Sequence, residues 1–472
     1  RLWIPESNWV EVDKMKRFKD TLRDIARYPS AIAGLLIVLA LIVFSIYTMI
    51  TIPYKEAIHH WRGVESVVYK NPKNAKPTWF NWFLKDKLPV SVDVVAGEDE
   101  DFTKETTHRK KGGYSYEFNY TFDYNYNTLP QDIFMYFTSN YIEKNPFVVI
   151  NMITPSGEEV KMFDGGITQR TNIRFGQEEN LLKRLNRLHQ REPENRLRSS
   201  MEGLFSKFGS YPSEINKGTY VINVKATTFE EGSEVEAELV MHGTVFGLFG
   251  TDHLRRDLKV AMMWGAPIAL AFGLTAALGS AIITMFIAAL GTWFGGWLDE
   301  LIQRITEVNM VIPYLAILIM VGTFYSKSIW TLLLVTILLN IFSASIKSQR
   351  AIFLQVREST YIEAAKAYGA NDFRIITRYM IPRVIPMLIP GLVSAVPSYV
   401  FLEASLALLG LGDPSVPTWG KVINDARSFG ALYQNMFYWI LEPATFLMIT
   451  GLGFAMLGFA LDRIFNPRLR GM

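Results

Sequence analysis

Long uncharged stretches constrain this chain more strongly than any other feature of its sequence. Residues 31–52 read AIAGLLIVLALIVFSIYTMITI and contain no charged side chain. At about 1.5 Å rise per residue, a helix of this length crosses a hydrocarbon layer of about 30 Å. The stretch is too long for the core of a signal peptide, and no small-residue cleavage site follows it. We therefore expect a retained first transmembrane helix.

Five further stretches have the same apolar character. Each is apolar over about 20 residues and ends at charged residues or at Gly and Pro. They lie near residues 260–290, 306–325, 328–346, 384–411 and 437–461. The sequence therefore predicts an α-helical polytopic membrane protein with six transmembrane helices.

Basic residues are shared unevenly between the segments that join these spans. If the N-terminus is inside, the inner segments hold Arg1, Lys14, Lys16, Arg17, Lys19, Arg23, Arg27, Arg304, Lys347, Arg350, Arg357, Lys366, Arg374, Arg378, Arg383, Arg463, Arg468 and Arg470. The short outer segments hold Arg255, Arg256, Lys259, Lys327, Lys421 and Arg427. Because basic residues concentrate on the cytoplasmic side, both termini are predicted to be cytoplasmic. The net charge of +3 reflects this topology. Basic tracts interleaved with aromatic residues are missing, so no nucleic-acid partner is expected.

Two absences narrow the chemistry that the chain can carry. It contains no cysteine, which excludes disulfides, thiol catalysis and cysteine-based metal sites. It also lacks the G-x-x-x-x-G-K-[ST] loop that cradles the phosphates of ATP. We therefore expect no catalytic residue, metal site or cofactor on this chain.

Residues 54–249 form a polar segment that separates the first span from the others. If the first helix runs from inside to outside, this segment lies outside the cell, and it is long enough to hold its own core. Strand signals occur in FVVINMI at 147–153, GTYVINVKATTF at 218–229 and VEAELVMHGTVF at 235–246. The sequence predicts an inserted extracytoplasmic β-rich domain, with a sandwich as the preferred fold.

One stretch of this segment, YSYEFNYTFDYNYN, places aromatic rings at every second residue. The rings are Tyr114, Tyr116, Phe118, Tyr120, Phe122, Tyr124 and Tyr126. On a strand they would all share one face. The preferred interpretation is that they pack in a sandwich core. The alternative is a contact platform for sugar rings or another protein, with Tyr114, Tyr116, Phe118 and Tyr120 as its candidate residues.

Two carboxylates lie within the predicted spans, Glu403 in FLEASLALLGLG and Glu442 in ILEPATF. A carboxylate inside a membrane helix is a functional candidate, here for the translocation path. We favour hydrogen bonding between helices, or a position near the interface, over ion transport for both residues.

A charged segment, EAAKAYGANDFRIITRYMIP at 363–382, joins two apolar spans on the predicted cytoplasmic side. Its start, together with Tyr361 and Ile362, is rich in helix formers, and Gly369 suits the left-handed position that ends a helix. Ala364, Ala365 and Ala367 would leave a slim side able to enter a groove. A surface for a protein partner is therefore predicted, with a solvated connector as the alternative.

This segment resembles the EAA loop of binding-protein-dependent ABC importer permeases, and the chain resembles the C-type permease of the oligopeptide/dipeptide/nickel group. The resemblance also rests on GTDHLRRD at 250–257, WFGGWLDELIQRITEV at 293–308, FLEASLALLGLG at 401–412, PTWGKVINDAR at 417–427 and NPRLR at 466–470. Two positions depart from the group's pattern, with Arg255 in place of Gly and Pro267 in place of Arg. The group's pattern does not account for the large 54–249 segment.

The resemblance implies a type I ABC importer-like fold. It also implies a docking helix for an ATPase subunit, made by Tyr361, Glu363, Ala364, Ala365, Lys366, Gly369 and Ala370. The implied partners are a homologous second permease, two ABC ATPases that hold ATP and Mg, and an extracytoplasmic solute-binding protein.

The expected function is that of a transport subunit, not an enzyme, importing oligopeptides or oligosaccharides across a prokaryotic plasma membrane. The expected organisation is a cytoplasmic N-terminus and first helix at 1–53, the β-rich insertion at 54–249, and five helices at 250–472 with a coupling loop at 347–383. The alternatives are a secondary transporter and a membrane receptor whose outer domain carries the function.

Overall fold

The computed structural model describes residues 28–63, 68–94, 102–109 and 112–465. The chain forms two compact units, a helical unit up to Arg62 and from Val260 onwards, and a β domain over Gly63–Lys259. The N-terminal basic residues up to Arg27 and the NPRLR stretch lie outside the described residues. The charge-based orientation of the termini therefore stays a prediction.

Within the described ranges the chain folds into α-helices and β-strands. The helices are α1 (Pro29–Thr51), α2 (Tyr54–Trp61), α3 (Glu179–Leu188), α4 (Ser200–Phe205), α5 (Leu258–Phe294), α6 (Gly296–Val311), α7 (Tyr314–Phe324), α8 (Ile329–Ile341), α9 (Ala344–Arg357), α10 (Thr360–Ala367), α11 (Asp372–Leu411), α12 (Trp419–Ser428) and α13 (Tyr438–Phe465). The strands are β1 (Val92–Val94), β2 (Phe102–His108), β3 (Tyr114–Tyr124), β4 (Asp132–Asn140), β5 (Phe147–Ile153), β6 (Glu159–Gly166), β7 (Arg170–Arg174), β8 (Gly218–Thr227) and β9 (Glu234–His242).

Four of the described helices, α1, α5, α11 and α13, are each long and apolar enough to cross a membrane. Two further pairs pass the same test together but are bent, α6 with α7 by 76° and α8 with α9 by 46°. The first bend falls at Ile312 and Pro313, because the residue before a proline favours extended backbone. The described chain thus has up to six candidate spans, if each bent pair counts as one.

Helix α11 starts earlier than the predicted span at 384–411. It runs from Asp372 and includes π-helical turns at Ile375–Met380 and Ala407–Leu411. Pro386, Pro390 and Pro397 lie inside it. Extra residues in π turns are one way in which a helix adjusts to a break in its hydrogen-bond pattern.

Small residues make the contact between α1 and α13. A Cβ built at Gly34 would lie 2.6 Å from the backbone nitrogen of Leu457, and one at Gly453 would lie 2.5 Å from the Ile37 side chain. Phe44 and Phe446 stack nearby with ring centroids 6.0 Å apart. Close approach of backbones at small residues is the usual way in which membrane helices associate.

The β domain contains two antiparallel sheets, which confirms the prediction of a β-rich fold. Strand order is β1-β9-β4-β7 in one sheet and β2-β3-β8-β5-β6 in the other. Ile133 and Met135 of the first sheet and Val148 and Val224 of the second belong to one buried cluster. The domain is therefore a sandwich whose core lies between the sheets. The predicted strands at 147–153, 218–229 and 235–246 correspond to β5, β8 and β9.

The aromatic stretch forms β3, and its rings lie in this core. Tyr116, Phe118, Tyr120, Phe122 and Tyr124 are buried, and Tyr114 is partly buried. The hydroxyl of Tyr116 donates to the Ser233 carbonyl at 3.0 Å, and that of Tyr120 donates to the Ala237 carbonyl at 2.6 Å. Burial raises the pKa of the Tyr120 phenol. A contact platform needs an open face, and three of its four candidate residues are core residues here, because β3 is covered by the opposite sheet.

The borders of the β domain differ from the predicted 54 and 249. Residues Tyr54–Trp61 form α2, whose Ala57 packs with Val260 and Trp264 in the helical unit. The 250–257 motif belongs to the β domain, where Arg256 forms a buried ion pair with Asp252. Arg255 has a left-handed backbone, with φ 63. That conformation favours glycine, which explains why glycine is expected at this position.

Candidate coupling helix and membrane cavity

Helix α10 ends at the predicted residue, and the hydrogen bonds at its end show why. The Ala370 N–H donates to the Ala365 carbonyl at 3.0 Å, and the Gly369 N–H donates to the Lys366 carbonyl at 2.9 Å. This pair of bonds is a Schellman motif, which needs a left-handed residue after the helix. Gly369 supplies it with φ +76, and no atom lies within 4 Å of the place where a Cβ would stand.

One face of α10 packs against the helical unit. Ile362 and Ala365 are buried, and Ile362 belongs to a cluster with Phe353 and Ile375. Of the three alanines predicted to leave a slim side for a groove, Ala365 is buried on this packed face, whereas Ala364 and Ala367 are exposed. The Nζ of Lys366 lies 4.5 Å from the centre of the Trp293 ring near the end of α5, a cation–π contact.

An exposed face of the helix, which we call the α10 outer face, consists of Tyr361, Ala364 and Tyr368. All three are exposed, and Tyr368 keeps 92% of its surface open. Glu363 and Ala367 are exposed as well. Phe373, in the first turn of α11, is 69% exposed. Two rigidly placed, exposed aromatic residues beside a packed helix are typical of a surface that another protein covers.

Polar contacts tie the helices around α10 together. Arg350 of α9 forms an ion pair with Asp299 of α6, with its Nε 2.7 Å from one carboxylate oxygen. Arg357 donates to the Thr292 carbonyl at 2.9 Å. The sequence analysis placed Arg350 in an inner segment but did not pair it with Asp299. Residues so far apart in the chain leave no local pattern that would reveal the pair.

A polar cavity of about 270 Å³ opens between α5, α8, α9 and α11. Its lining residues are Ala277, Ser280, Ala281, Thr284, Asn340, Ser343, Ser345, Ser348, Gln349, Met387, Leu388, Gly391, Leu392, Ala395 and Tyr399. Hydroxyl and amide groups dominate its polar side, and no lining residue is charged. Gln349 is buried, and its Oε1 accepts no hydrogen bond within the described part of the chain. The sequence analysis missed this site, although Ser280 and Thr284 stand four residues apart on an apolar helix.

The two carboxylates proposed for the translocation path lie elsewhere. Glu403 is buried on α11 near the Thr418 side chain, and Glu442 is partly buried on α13. Neither is among the described residues that line the polar cavity. Within the described ranges, no group of three or more His, Asp or Glu residues is arranged to hold a metal ion.

Comparison with known proteins shows which family this chain is similar to. Residues 280–471 match the family described as "Binding-protein-dependent transport system inner membrane component". This range includes α10 and most of the residues that line the polar cavity.

Individual relatives agree with the family match. The chain is 30% identical over 223 residues to the dipeptide transport system permease protein DppC of Bacillus subtilis, covering 47% of this chain and 69% of that protein. It is 32% identical over 229 residues to a putative peptide transport system permease protein of Brucella suis, covering 47% and 74%. It is 30% identical over 224 residues to the glutathione transport system permease protein GsiD of Escherichia coli, covering 47% and 73%.

These relatives are membrane permeases, and the apolar helices of this chain are those of a multi-pass membrane protein. The chain therefore belongs to the family of inner membrane components of binding-protein-dependent transport systems, the permeases of ABC importers.

Proposed function

We propose that this chain is the C-type permease subunit of an ATP-driven importer in a prokaryotic plasma membrane. In this proposal it pairs with a homologous permease, two ATPases bind on the cytoplasmic side, and a solute-binding protein delivers solute from outside. The N- and C-termini lie in the cytoplasm, and the β domain lies outside. Oligopeptides are the favoured solute class, since relatives are named as dipeptide, peptide and glutathione permeases. Oligosaccharides are the alternative.

Helix α10 is the observation that carries this proposal. Its packed face holds Ile362 in a cluster with residues of the neighbouring helices, and Lys366 contacts the Trp293 ring. Its outer face presents Tyr361 and Tyr368 to solvent. A helix fixed on one side to membrane helices and open on the other can pass a displacement of a bound protein to those helices.

The energetic requirement falls on the partners. ATP and Mg bind to the ATPases, and closure of the ATPase dimer moves α10 and the helices attached to it. ATP shifts the permease between inward-open and outward-open states only to the extent that it binds the two states with different affinity. The chain itself performs no chemical step.

The polar cavity is our candidate for this subunit's share of the solute path. Its hydroxyl and amide groups, with the free Oε1 of Gln349, can exchange hydrogen bonds with peptide groups or sugar hydroxyls. An uncharged lining of this kind holds a polar solute without trapping it by charge. Glu403 and Glu442 remain candidates for contacts between helices.

A test uses the left-handed residue that ends α10. Gly369→Val forces a β-branched residue into φ +76 and breaks the Schellman motif, although outside the adjacent residues no atom lies within 4 Å of a built Cβ. In the complete transporter in lipid vesicles, solute-stimulated ATP hydrolysis should fall at least tenfold, while the chain still inserts into the membrane.

Gly232→Val is the matched control. Gly232 lies in the β domain with φ +79 and likewise has no atom within 4 Å of a built Cβ. The Gly232→Val substitution imposes the same local backbone strain away from α10. Solute-stimulated ATP hydrolysis should therefore stay within about twofold of wild type. Normal coupling in the Gly369→Val transporter would contradict the assignment of α10.

A further inference from the structure

The β domain carries an exposed aromatic loop at residues 77–89. Trp82 keeps 82% of its surface exposed and Phe83 keeps 79%, and Leu84 beside them is also exposed. Lys85 and Lys87 follow, both exposed, and Asp86 between them accepts a hydrogen bond from the Asn127 side chain at 2.6 Å. Large apolar side chains that protrude together from a polar domain indicate a surface that something other than water covers.

Hydrogen bonds fix the shape of this loop. The Asn81 side chain donates to the Leu88 carbonyl at 3.0 Å and accepts from the Leu88 N–H at 2.8 Å. Trp79 packs on Phe80 with ring centroids 4.7 Å apart. The Phe83 ring meets the Trp79 ring edge-on, with centroids 6.2 Å apart, and most of the surface of Trp82 and Phe83 stays exposed.

The base of the loop is attached to the segment that leads into a membrane helix. Lys76 and Val90, on either side of the loop, both pair with Val245. Thr78 donates to the Gly247 carbonyl at 2.9 Å through both its N–H and its hydroxyl.

Leu258, the first residue of α5, follows this segment closely in the chain. A fully extended chain rises at most about 3.6 Å per residue, so the eleven residues from Gly247 to Leu258 span at most about 40 Å. The other end of the domain follows α1, which also qualifies as a span. A linker of this length allows the loop to reach a bilayer surface.

We propose that the aromatic loop binds the phospholipid bilayer by inserting Trp82 and Phe83 into the interface between headgroups and acyl chains. Aromatic side chains concentrate at this depth because their rings are apolar and, in tryptophan, carry one polar N–H. Lys85 and Lys87 stand next to them and reach the headgroup phosphates, since long basic side chains extend from an apolar surface toward polar groups.

This contact would anchor the β domain to the membrane in which α1 and α5 lie. It depends neither on the solute nor on the face of the membrane at which the domain stands. It also does not depend on the coupling role of α10, so the two proposals can fail separately.

The absence of native cysteine makes a direct test possible, because one introduced cysteine takes a label without background. The full chain with Phe83→Cys carries a nitroxide label in phosphatidylcholine/phosphatidylglycerol nanodiscs. Collision rates of the label are measured with oxygen, which concentrates in lipid, and with a water-soluble nickel chelate. Leu84→Cys provides a second position in the loop.

Ile142→Cys is the matched control, since Ile142 has the same exposure, 79%, beside charged Glu143 and Lys144. The labels at 83 and 84 should collide with oxygen at least threefold more often, relative to nickel, than the label at 142. Equal ratios at all three positions would overturn the proposal by placing the loop in water. Protection from both reagents would overturn it in favour of a protein contact with the second permease or the solute-binding protein.

Discussion

Helix α1 and strand β3 are both rich in large apolar side chains, yet they bury opposite kinds of residue. In α1 the buried positions are Ala31, Gly34, Val38, Leu41, Ser45 and Thr48, most of them small. Bulky residues of the same helix, such as Leu36 and Ile50, are exposed. In β3 the bulky rings are buried, and small or polar residues such as Ser115 and Asn119 are not.

The difference follows from the surrounding medium. Lipid solvates a leucine as well as a protein core does, so α1 gains little by hiding Leu36 and gains more by bringing backbones together at small residues. The β domain has water around it, so its stability depends on removing ring surface from solvent and filling the core densely. Burying the same type of apolar residue therefore contributes differently to stability in the two units.

The largest expected effect is on the core of the β domain. Phe118 is fully buried, and its ring lies 6.2 Å from that of Tyr116. Phe118→Ala should lower the free energy of unfolding of the domain by about 3–5 kcal/mol through lost burial and a residual cavity. For a domain of this size that corresponds to a fall of roughly 6–20 °C in melting temperature.

Hydrogen exchange of β3 and β8 in the full chain, measured over a temperature series, would follow the loss. Exposed Ile142 provides the control, because Ile142→Ala should change the melting temperature by no more than a few degrees. If Phe118→Ala melts like wild type, the rings do not form the core and the comparison with α1 fails.

Local patterns explain what could be predicted from the sequence. Alternating rings predict β3, and the predicted strand at 147–153 coincides with β5. Both could be predicted because alternation with a period of two residues indicates a strand. Uncharged stretches locate the candidate spans for the same kind of reason. Gly369 marks the end of α10, since a left-handed backbone leaves few alternatives to glycine.

Contacts between distant segments could not be predicted in this way. The Arg350–Asp299 pair and the polar cavity join residues from several helices, and no local spacing encodes them. Ala365 was misplaced because composition shows that a helix has a slim side but does not show which neighbour it packs against. The border at Gly63 was missed because α2 is polar in sequence, although Ala57 packs on the helical unit.

The second-largest expected effect concerns a histidine ring that is buried in the β domain. A lipid-facing position of α1 could not bury a titratable ring within the protein in this way. His242 is buried, and its ring lies 4.6 Å from that of Phe134. Burial, followed by the charges of Arg255 and Arg174, lowers the pKa of His242 from 6.5 to about 4. The neutral ring is thus favoured in the folded domain, while the unfolded chain binds a proton below about pH 6.5.

The sign of the pH effect follows from this difference. The contribution of neutral His242 to the free energy of unfolding is complete above pH 6.5. It is lost as the pH falls from 6.5 toward 4, because the unfolded state then binds more protons than the folded state. A shift of this size corresponds to about 3 kcal/mol. Denaturant unfolding of the β domain between pH 4 and 8 would measure it. His242→Gln should remove this part of the pH dependence, and an unchanged pH profile in that variant would contradict the assignment.

The smallest expected effect tests the lipid-facing side of α1. Leu36 is 59% exposed, so Leu36→Ala should change the stability of the helical unit by less than about 0.5 kcal/mol in nanodiscs. Leu41, on the same helix, is buried, and Leu41→Ala should cost about 2–5 kcal/mol. Hydrogen exchange of α1 and α13 would separate the two variants. If Leu36→Ala costs as much as Leu41→Ala in the assembled transporter but not in the chain alone, another protein covers that side of α1, and exposure there marks a subunit interface instead of lipid.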